Sequence, residues 1–231
     1  MRRIQNLMEQ WLFIGPDNRQ EQVNLPHTWN AKDGQDGGND YYRGTCHYEK
    51  TFEKPEFDPE TEEVYLEFLG VNASSDVTVN GKELAHHDGG YSTFRINITE
   101  VLEDRNKLEV TVDNSVNGKV YPQKADFTFY GGIYRDVRFL IVSKEHFDLD
   151  YLGSNGIKIT PEVKENEANV HIETFTNTEE AQVNIQIKDQ DGKVVAEGNG
   201  CDVNLNIQNP IRWHGRKNPY LYTCLLYTSP S

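Results

Sequence analysis

Apolar residues recur at every second position along much of this chain, and this period of two restricts the fold more than any other sequence feature. Successive side chains of a β-strand point to opposite faces, so each alternating segment predicts a short strand with one buried face. The chain is therefore predicted to be all-β. The clearest segments are residues 64–68, 77–79, 94–98, 108–112 and 137–141, followed by residues 157–159, 170–172, 183–187 and 203–207.

Turn signals are frequent and helical signals are scarce. Asn80-Gly81 directly follows an alternating segment, and both residues tolerate a positive φ, which predicts a two-residue hairpin turn. Residues 4–12 form one candidate helix, and residues 99–103 form one candidate helical turn capped by Thr99. Many short strands with few helices predict a β-sandwich or a jelly roll.

The length of 231 residues allows one large domain or two modest ones. The apolar run of residues 137–142 ends in polar residues, which places a domain boundary near residues 142–146. The strands after this boundary have few aromatic residues and predict a smaller immunoglobulin-like sandwich. Residues 224–231 lack the alternation of a closing strand, so this sandwich is predicted to be incomplete.

The formal net charge is −14, and both halves of the chain are acidic. Phosphate binding needs clustered lysine and arginine, so a nucleic-acid partner is not expected, and a neutral or cationic ligand is favoured. No apolar stretch reaches the ~18 residues of a membrane span, and no apolar leader is visible, which favours a cytoplasmic location and leaves a periplasmic one open. The widely spaced Cys46, Cys201 and Cys224 indicate a reducing compartment.

Five strings occur in a fixed order along the chain, and each is weak alone but strong in combination. They are residues 23–30 (VNLPHTWN), residues 41–52, residues 68–81, residues 89–99 and residues 126–137 (DFTFYGGIYRDV). In order and spacing these strings are similar to the N-terminal part of glycoside hydrolase family 2, the β-galactosidase and β-glucuronidase family. The last string, residues 126–137, resembles the β-galactosidase branch more than it resembles the other branches of the family.

The resemblance implies a jelly-roll sugar-binding domain over residues 1–143, an incomplete immunoglobulin-like domain over residues 144–223, and a tail, residues 224–231, that fits neither. In the family a TIM barrel follows and carries both catalytic carboxyl groups. Retaining hydrolysis needs two carboxyl groups ~5–5.5 Å apart, and no Asn-Glu pair at a strand end, of the kind that the family uses for its acid/base, is identified in this chain. No catalytic residue is therefore assigned within the chain, and the chain alone is predicted to be inactive.

Three residues are candidates for substrate binding. By resemblance, Asp126 reaches into the sugar subsite and helps to hold a monovalent cation; the alternative is a solvated loop aspartate that caps a turn. Arg43 is a sugar contact or a surface arginine stacked on a tyrosine. Tyr130 stacks on a sugar ring or belongs to the core, and the same alternatives apply to Trp29 and Tyr91.

Four other features favour structural explanations. Gly131-Gly132 predicts a positive φ or a close backbone approach, because no helix follows for phosphate binding. Arg135 is an ion-pair partner of its neighbour or a backbone clamp, with a substrate role as the less favoured alternative. For His27, a position in the core is favoured over a hydrogen bond to a ligand. Residues 86–88 (HHD) do not predict a metal site, because adjacent strand residues face opposite sides.

The first functional hypothesis is a fragment of a retaining glycoside hydrolase that acts on β-galactosides. The full enzyme is expected to be a homo-oligomer with no membrane or nucleic-acid partner, and a monovalent or divalent cation is its candidate cofactor; no cofactor is expected within this chain. The alternatives are the β-glucuronidase or β-mannosidase branch, a stand-alone carbohydrate-binding module, and a structural or adhesion protein of two β-sandwiches.

Overall fold

The computed structural model describes residues 2–31, 41–120, 128–179 and 181–229. The chain divides into two compact units, Met1–Lys144 and Glu145–Ser231. Both are built from β-strands, which confirms the predicted all-β class. Within the described ranges, no helix is long and apolar enough to cross a membrane.

The described part of the first unit forms two antiparallel sheets. One sheet has the order β3-β2-β4-β9-β6-β7 and the other the order β1-β10-β5-β8. The strands are β1 (Arg3–Asn6), β2 (Trp11–Ile14), β3 (Gln20–Val23), β4 (Thr45–Glu53), β5 (Glu62–Phe68), β6 (Ser74–Val79), β7 (Lys82–Asp88), β8 (Phe94–Asn97), β9 (Arg105–Asp113) and β10 (Val137–Ser143).

The core of this unit lies between the two sheets. Trp11 and Tyr48 from the first sheet are fully buried, as is Phe68 from the second. The rings of Phe52 and Phe139 meet across the interface with their centroids 5.0 Å apart. The alternation of the sequence therefore buries one apolar face from each sheet, which is the arrangement of a sandwich.

The predicted Asn80-Gly81 hairpin is confirmed. Strand β6 ends at Val79 and β7 begins at Lys82, and the two turn residues have φ values of 52° and 77°. Positive φ at both central positions defines the tight turn that matches the twist of the flanking strands. Asn80 also donates from Nδ2 to the carbonyl of Val101 at 2.8 Å, which ties the turn to the loop before β9.

Of the two predicted helical segments, residues 4–12 are not helical, whereas residues 99–103 contain the predicted turn without its predicted cap. Residues 4–12 contribute to strands β1 and β2, because Arg3–Asn6 pair with β10 and Trp11–Ile14 pair with β3 and β4. Residues 99–101 form one 3-10 turn, but Thr99 does not cap it. The Thr99 hydroxyl instead accepts a hydrogen bond from the backbone N–H of Val64 at 2.9 Å.

Strand β5 departs from the prediction of one buried face, because it is buried on both. Glu67 points away from the sandwich core, yet its side chain is 0% exposed. Its carboxylate accepts a hydrogen bond from Arg95 Nε at 2.7 Å and another from Arg138 Nε, and Arg2 lies at 3.7 Å. Three guanidinium groups thus make burial of this acidic side chain tolerable.

The β6–β7 hairpin carries a histidine between two carboxylates. His86 Nδ1 lies 2.6 Å from Asp76 Oδ1, and His86 Nε2 lies 3.2 Å from Asp88 Oδ2. Hydrogen bonds to Asp76 and then Asp88 raise the pKa of His86 above its ordinary value. Asp88 is also held by the hydroxyl of Ser74 at 2.7 Å and by Lys119 at 3.3 Å.

We expect this hairpin to lose stability as the pH rises through the pKa of His86. A raised folded-state pKa gives stabilisation that is complete below the unfolded pKa and disappears above the folded one. The imidazole is about half exposed, so the effect should stay below ~1 kcal/mol. Thermal unfolding of wild type and His86→Gln between pH 5 and 8 measures it, and parallel pH profiles for the two proteins would contradict it.

The described part of the second unit is a smaller sandwich of two three-stranded sheets, ordered β11-β12-β15 and β14-β13-β16. Ile172 from one sheet and Ile185 from the other are buried in its core. Its strands are β11 (Ile157–Val163), β12 (Glu167–Thr174), β13 (Gln182–Lys188), β14 (Val194–Asn199), β15 (Asp202–Gln208) and β16 (Thr223–Ser229).

The prediction that residues 224–231 fit neither domain is corrected for residues 224–229. These residues lie in β16, which pairs antiparallel with β13. Cys224 and Leu226 pack against the core of the second unit. The segment forms a strand despite its poor alternation, because its two inward-facing residues, Cys224 and Leu226, give it an apolar face against the core of the second unit.

Candidate functional site

The candidate site lies where several loops of the first unit meet. Arg43 and Tyr130 are within the described residues, whereas Asp126 lies outside them. Arg43 precedes β4, and Tyr130 follows β9 and precedes β10. Arg43 and Tyr130 thus lie on two separate segments, which other residues must hold in place and bring together.

Two buried asparagines join these loops. Asn30 is 0% exposed and Asn114 is 1% exposed, and Asn114 Nδ2 donates to Asn30 Oδ1 at 3.2 Å. Asn30 Oδ1 also accepts from the N–H of Gly131 at 2.7 Å, while its Nδ2 donates to the carbonyl of Tyr42 at 2.9 Å. Asn114 Oδ1 accepts from the N–H of Gly44 at 2.9 Å. A buried amide that satisfies several backbone groups fixes the loops that carry them.

The same asparagine links the two candidate residues. Asn114 Nδ2 donates to the carbonyls of Tyr42 at 3.4 Å and Phe129 at 3.5 Å, and these residues directly precede Arg43 and Tyr130. Phe129 N–H in turn donates to the hydroxyl of Tyr41 at 3.3 Å. The structure thus brings the Arg43 and Tyr130 segments to one end of the sandwich.

Arg43 is oriented through the inner nitrogen of its guanidinium group. Its Nε donates to the carbonyl of Asn114 at 2.9 Å, and its guanidinium carbon lies 5.9 Å from the ring centroid of Tyr41. Among the residues that the structure describes, Nη1 and Nη2 of Arg43 have no protein partner. Such a fork matches the geometry of a carboxylate.

Tyr130 presents an exposed aromatic ring on a fixed backbone. Its side chain is 41% exposed, and its carbonyl accepts a hydrogen bond from Asn72 Nδ2 at 2.8 Å. The N–H of Asn72 donates to the carbonyl of Gly132, and the N–H of Gly132 donates back to the carbonyl of Asn72, each at 3.0 Å. The backbone of Tyr130 is therefore held in place, and its ring is not part of the core.

The structural explanation of Gly131-Gly132 is confirmed. Gly132 has φ +126°, and a Cβ there would lie 2.6 Å from the carbonyl oxygen of His27 and 2.7 Å from the hydroxyl of Tyr48. A Cβ on Gly131 would overlap the indole ring of Trp29. The Thr28 hydroxyl donates to the carbonyl of Gly131 at 2.7 Å, so the glycines allow two backbone segments to touch.

Trp29 and His27 are both partly buried and pack against the core. Trp29 stacks on Phe13 with centroids 6.0 Å apart, and the ring of His27 lies 4.8 Å from the same phenyl ring. His27 Nδ1 is 2.8 Å from the hydroxyl of Tyr48. Burial lowers the pKa of His27, with Glu21 acting in the opposite direction. His27 is thus the core histidine that the sequence favours.

The backbone-clamp alternative for Arg135 is the one that the structure confirms. Nη1 of Arg135 donates to the carbonyls of Leu69 at 3.4 Å and Tyr91 at 3.2 Å. The hydroxyl of Tyr134 donates to the carbonyl of Gly90, so two consecutive side chains hold one loop. Tyr91 stands on that loop and is 54% exposed.

The sequence interpretation missed Asn30 and Asn114, the residues that organise this end of the sandwich. Neither belongs to an alternating apolar pattern, and a buried amide leaves no periodic signal. Within the described ranges, no group of three His, Cys, Asp or Glu side chains is placed to hold a metal ion.

Two family models match the chain. A model described as the glycosyl hydrolase 2 galactose-binding domain-like family matches residues 38–148, and a model of glycosyl hydrolases family 2 matches residues 154–229. The chain belongs to glycoside hydrolase family 2. The first match covers the candidate site from Tyr41 to Tyr130, and the second covers strands β11 to β16 of this family 2 chain.

Similar proteins include enzymes of two specificities. A β-glucuronidase of Bacteroides fragilis is 34% identical over 219 residues, which cover 87% of this family 2 chain and 31% of that protein. The structure of an FMN-binding β-glucuronidase from Faecalibacterium prausnitzii L2-6 is 37% identical, with a TM-score of 0.92, and covers 100% of the chain and 37% of that structure. A putative β-galactosidase structure from Bacteroides fragilis is 31% identical, with a TM-score of 0.88, over 97% of the chain and 38% of that structure.

The family 2 chain therefore spans about a third of the length of these relatives. Its relatives are glycoside hydrolases, and both β-glucuronidases and β-galactosidases are among them. The similarity thus establishes the family and does not favour β-galactosides over β-glucuronides.

Proposed function

We propose that this chain is the sugar-binding part of a retaining glycoside hydrolase that acts on β-glucuronides. The two units would support a catalytic domain that supplies the acid/base and the nucleophile. The loop end of the first unit would contribute Arg43, Tyr130 and Asp126 to the sugar subsite. The observation that carries this proposal is the guanidinium fork of Arg43, which is unpartnered among the described residues and lies at the same end of the sandwich as Tyr130.

The charge of the sugar separates the two specificities. A glucuronide carries a carboxylate, whereas a galactoside is neutral. Two guanidinium nitrogens without a described protein partner are best matched by a carboxylate, which accepts two parallel hydrogen bonds. The relatives at 34% and 37% identity named above are β-glucuronidases, which supports the same choice.

A β-galactoside is the second candidate substrate. It is supported by the resemblance of residues 126–137 to the β-galactosidase branch and by the 31% identical putative β-galactosidase structure. In that case Arg43 would bind sugar hydroxyls, and Asp126 would accept hydroxyl protons as an acceptor-only group. A cation held at Asp126 stays a prediction for either substrate.

Binding at this end would rest on two different contacts from the described residues. The ring of Tyr130 would stack on the apolar face of the sugar, which orients the pyranose without charge. Arg43, held at Nε by Asn114, would pair with the carboxylate from a fixed position. The chain's part in catalysis is thus to place the sugar, and bond cleavage belongs to carboxyl groups elsewhere in the enzyme.

We expect the 231-residue chain to release no nitrophenol from nitrophenyl β-glucuronide, and the full-length enzyme to do so. In the full-length enzyme, Arg43→Gln should raise the KM for the glucuronide by about tenfold to a hundredfold, because one charge-assisted pair is lost. Arg43→Lys should recover part of the loss. Arg105→Gln, on an exposed strand end, is the matched control and should leave KM unchanged.

Three results would count against these expectations. Turnover by the 231-residue chain would place the acid and the nucleophile within it. A full-length enzyme that cleaves only nitrophenyl β-galactoside would favour the second candidate substrate. An unchanged KM for Arg43→Gln would remove Arg43 from the sugar subsite while leaving the family assignment intact.

A further inference from the structure

A second exposed aromatic and cationic surface lies in the second unit, between strands β15 and β16. It is formed by residues 211–219, which we call the Trp213 turn. Trp213 is 65% exposed, and every residue of the turn except Gly215 is exposed. Large exposed aromatic side chains on folded loops are typical of binding sites.

The Trp213 turn is a fixed structure. The N–H of His214 donates to the carbonyl of Asn218 at 2.6 Å, and the N–H of Lys217 donates to the carbonyl of His214 at 3.1 Å. Arg212 donates from Nη2 to the carbonyl of Lys164. These hydrogen bonds fix the backbone of the turn and join the turn to the β11–β12 connection. Its side chains therefore project from a defined backbone.

The indole ring and the cations belong to the same short turn. A Cβ built on Gly215 would lie 4.0 Å from Cη2 of Trp213, which places the ring over the turn that carries Arg216 and Lys217. Among the described residues, the side chains of Trp213, Arg216 and Lys217 have no partner. Cations beside an open aromatic face form a combined surface for stacking and ion pairing.

The charge of this surface is opposite to that of the whole chain. Residues 203–222 contain three basic residues and no Asp or Glu, although the net charge of the chain is −14. At physiological ionic strength charges are screened over ~8 Å, so the cations of the turn act mainly on a ligand in direct contact with it. The surface thus suits an anionic ligand that the overall composition does not suggest.

We propose that the Trp213 turn binds an acidic glycan, with Trp213 stacked on the face of a uronic-acid ring and with Arg216 and Lys217 paired to carboxylates. A sugar ring has an apolar C–H face for the indole, and a uronate repeats its carboxylate along the polymer. This site lies in the second unit and is independent of the proposed function of the first.

The test is a titration of the 231-residue chain with oligogalacturonate, a uronic-acid oligomer, followed by calorimetry and by Trp fluorescence. Wild type should bind, and neutral galactan oligomers should not. Trp213→Ala should weaken binding about tenfold, and Trp213→Phe by no more than about threefold. Arg216→Gln and Lys217→Gln should each weaken it about threefold.

Lys193→Gln is the matched control, because Lys193 is an exposed lysine on the turn between β13 and β14 of the same unit. It should leave the affinity unchanged. Absence of binding by wild type, equal binding of the neutral oligomer, or equal affinity of Trp213→Ala would each overturn the proposal. Dextran sulfate that binds equally well to wild type and Trp213→Ala would indicate attraction of any polyanion and would also overturn it.

Discussion

Gly132→Ala is expected to destabilise the first unit by about 3–5 kcal/mol. The substitution has two separate costs, because residue 132 has φ +126° and because the new Cβ meets the carbonyl oxygen of His27 at 2.6 Å. The new Cβ would also lie 2.7 Å from the hydroxyl of Tyr48. Neither the His27 carbonyl nor the Tyr48 hydroxyl can move away easily, since the His27 N–H is bonded to the carbonyl of Ile133 and Tyr48 is fully buried.

Two other glycines separate these costs. A Cβ added to Gly118 would have no atom within 4 Å, and the φ of Gly118 is not positive, so Gly118→Ala should be neutral or slightly stabilising. Gly81 has φ +77° and open space around it, so Gly81→Ala should lose only about 1 kcal/mol. The difference between Gly81→Ala and Gly132→Ala therefore measures the steric overlap together with the greater strain of φ +126°.

Urea unfolding measures all three variants. It is best followed by fluorescence in a Trp213→Phe background, in which the remaining Trp11 and Trp29 both report on the first unit. A loss below ~1 kcal/mol for Gly132→Ala would contradict the expectation, because it would show that the His27 segment moves aside at little cost.

Glu67→Gln should cost about 3–5 kcal/mol, although it changes the size of the side chain very little. It removes the one carboxylate that Arg2, Arg95 and Arg138 share, and the side chain of Arg95 is only 5% exposed. Removing the charge of one member of a buried ion pair leaves the charges of the other members poorly compensated. The cost should be larger at low salt, because repulsion among the arginines is then unscreened.

Glu109→Gln is the comparison for this experiment. Glu109 pairs with Lys107 at 2.7 Å, but their side chains are 38% and 48% exposed, so its loss should be worth less than ~1 kcal/mol. Urea denaturation of both variants at low and at high salt gives the two losses. Equal losses for Glu67→Gln and Glu109→Gln would show that the arginines are stabilised without this carboxylate.

Local sequence patterns predicted much of the fold, and long-range pairing decided the rest. The Asn80-Gly81 turn and the alternation of β9 need only neighbouring residues, and both were predictable. Residues 4–12 place Ile4, Leu7, Met8 and Trp11 at helical spacing, but β10 and β4 offer strand edges that these residues pair with instead. Propensity is a weak guide where tertiary contacts compete.

The burial of Glu67 shows the same limit. Its position in an alternating segment predicts an exposed side chain, and nothing adjacent in the sequence opposes that. The residues that make burial tolerable, Arg95 and Arg138, lie 28 and 71 positions away. Only the register of β8 and β10 against β5 brings them to one carboxylate.

At the candidate site, the sequence named side chains that face outward and missed the ones that hold them. Arg43 and Tyr130 were identified through a family resemblance, whose strings mark loop positions. Asn30 and Asn114 act through backbone groups of residues up to 101 positions away, and such partners leave no local pattern. Their importance became apparent only from their burial together with their hydrogen bonds.

The hydrogen bond from Asn30 Nδ2 to the carbonyl of Tyr42 joins the two ends of residues 30–42. Closure entropy grows only slowly with loop length, so insertions or replacements between these ends carry a small thermodynamic penalty. We therefore expect the sandwich to tolerate changes of length and sequence between residues 30 and 42, provided that Asn30 and Asn114 are kept.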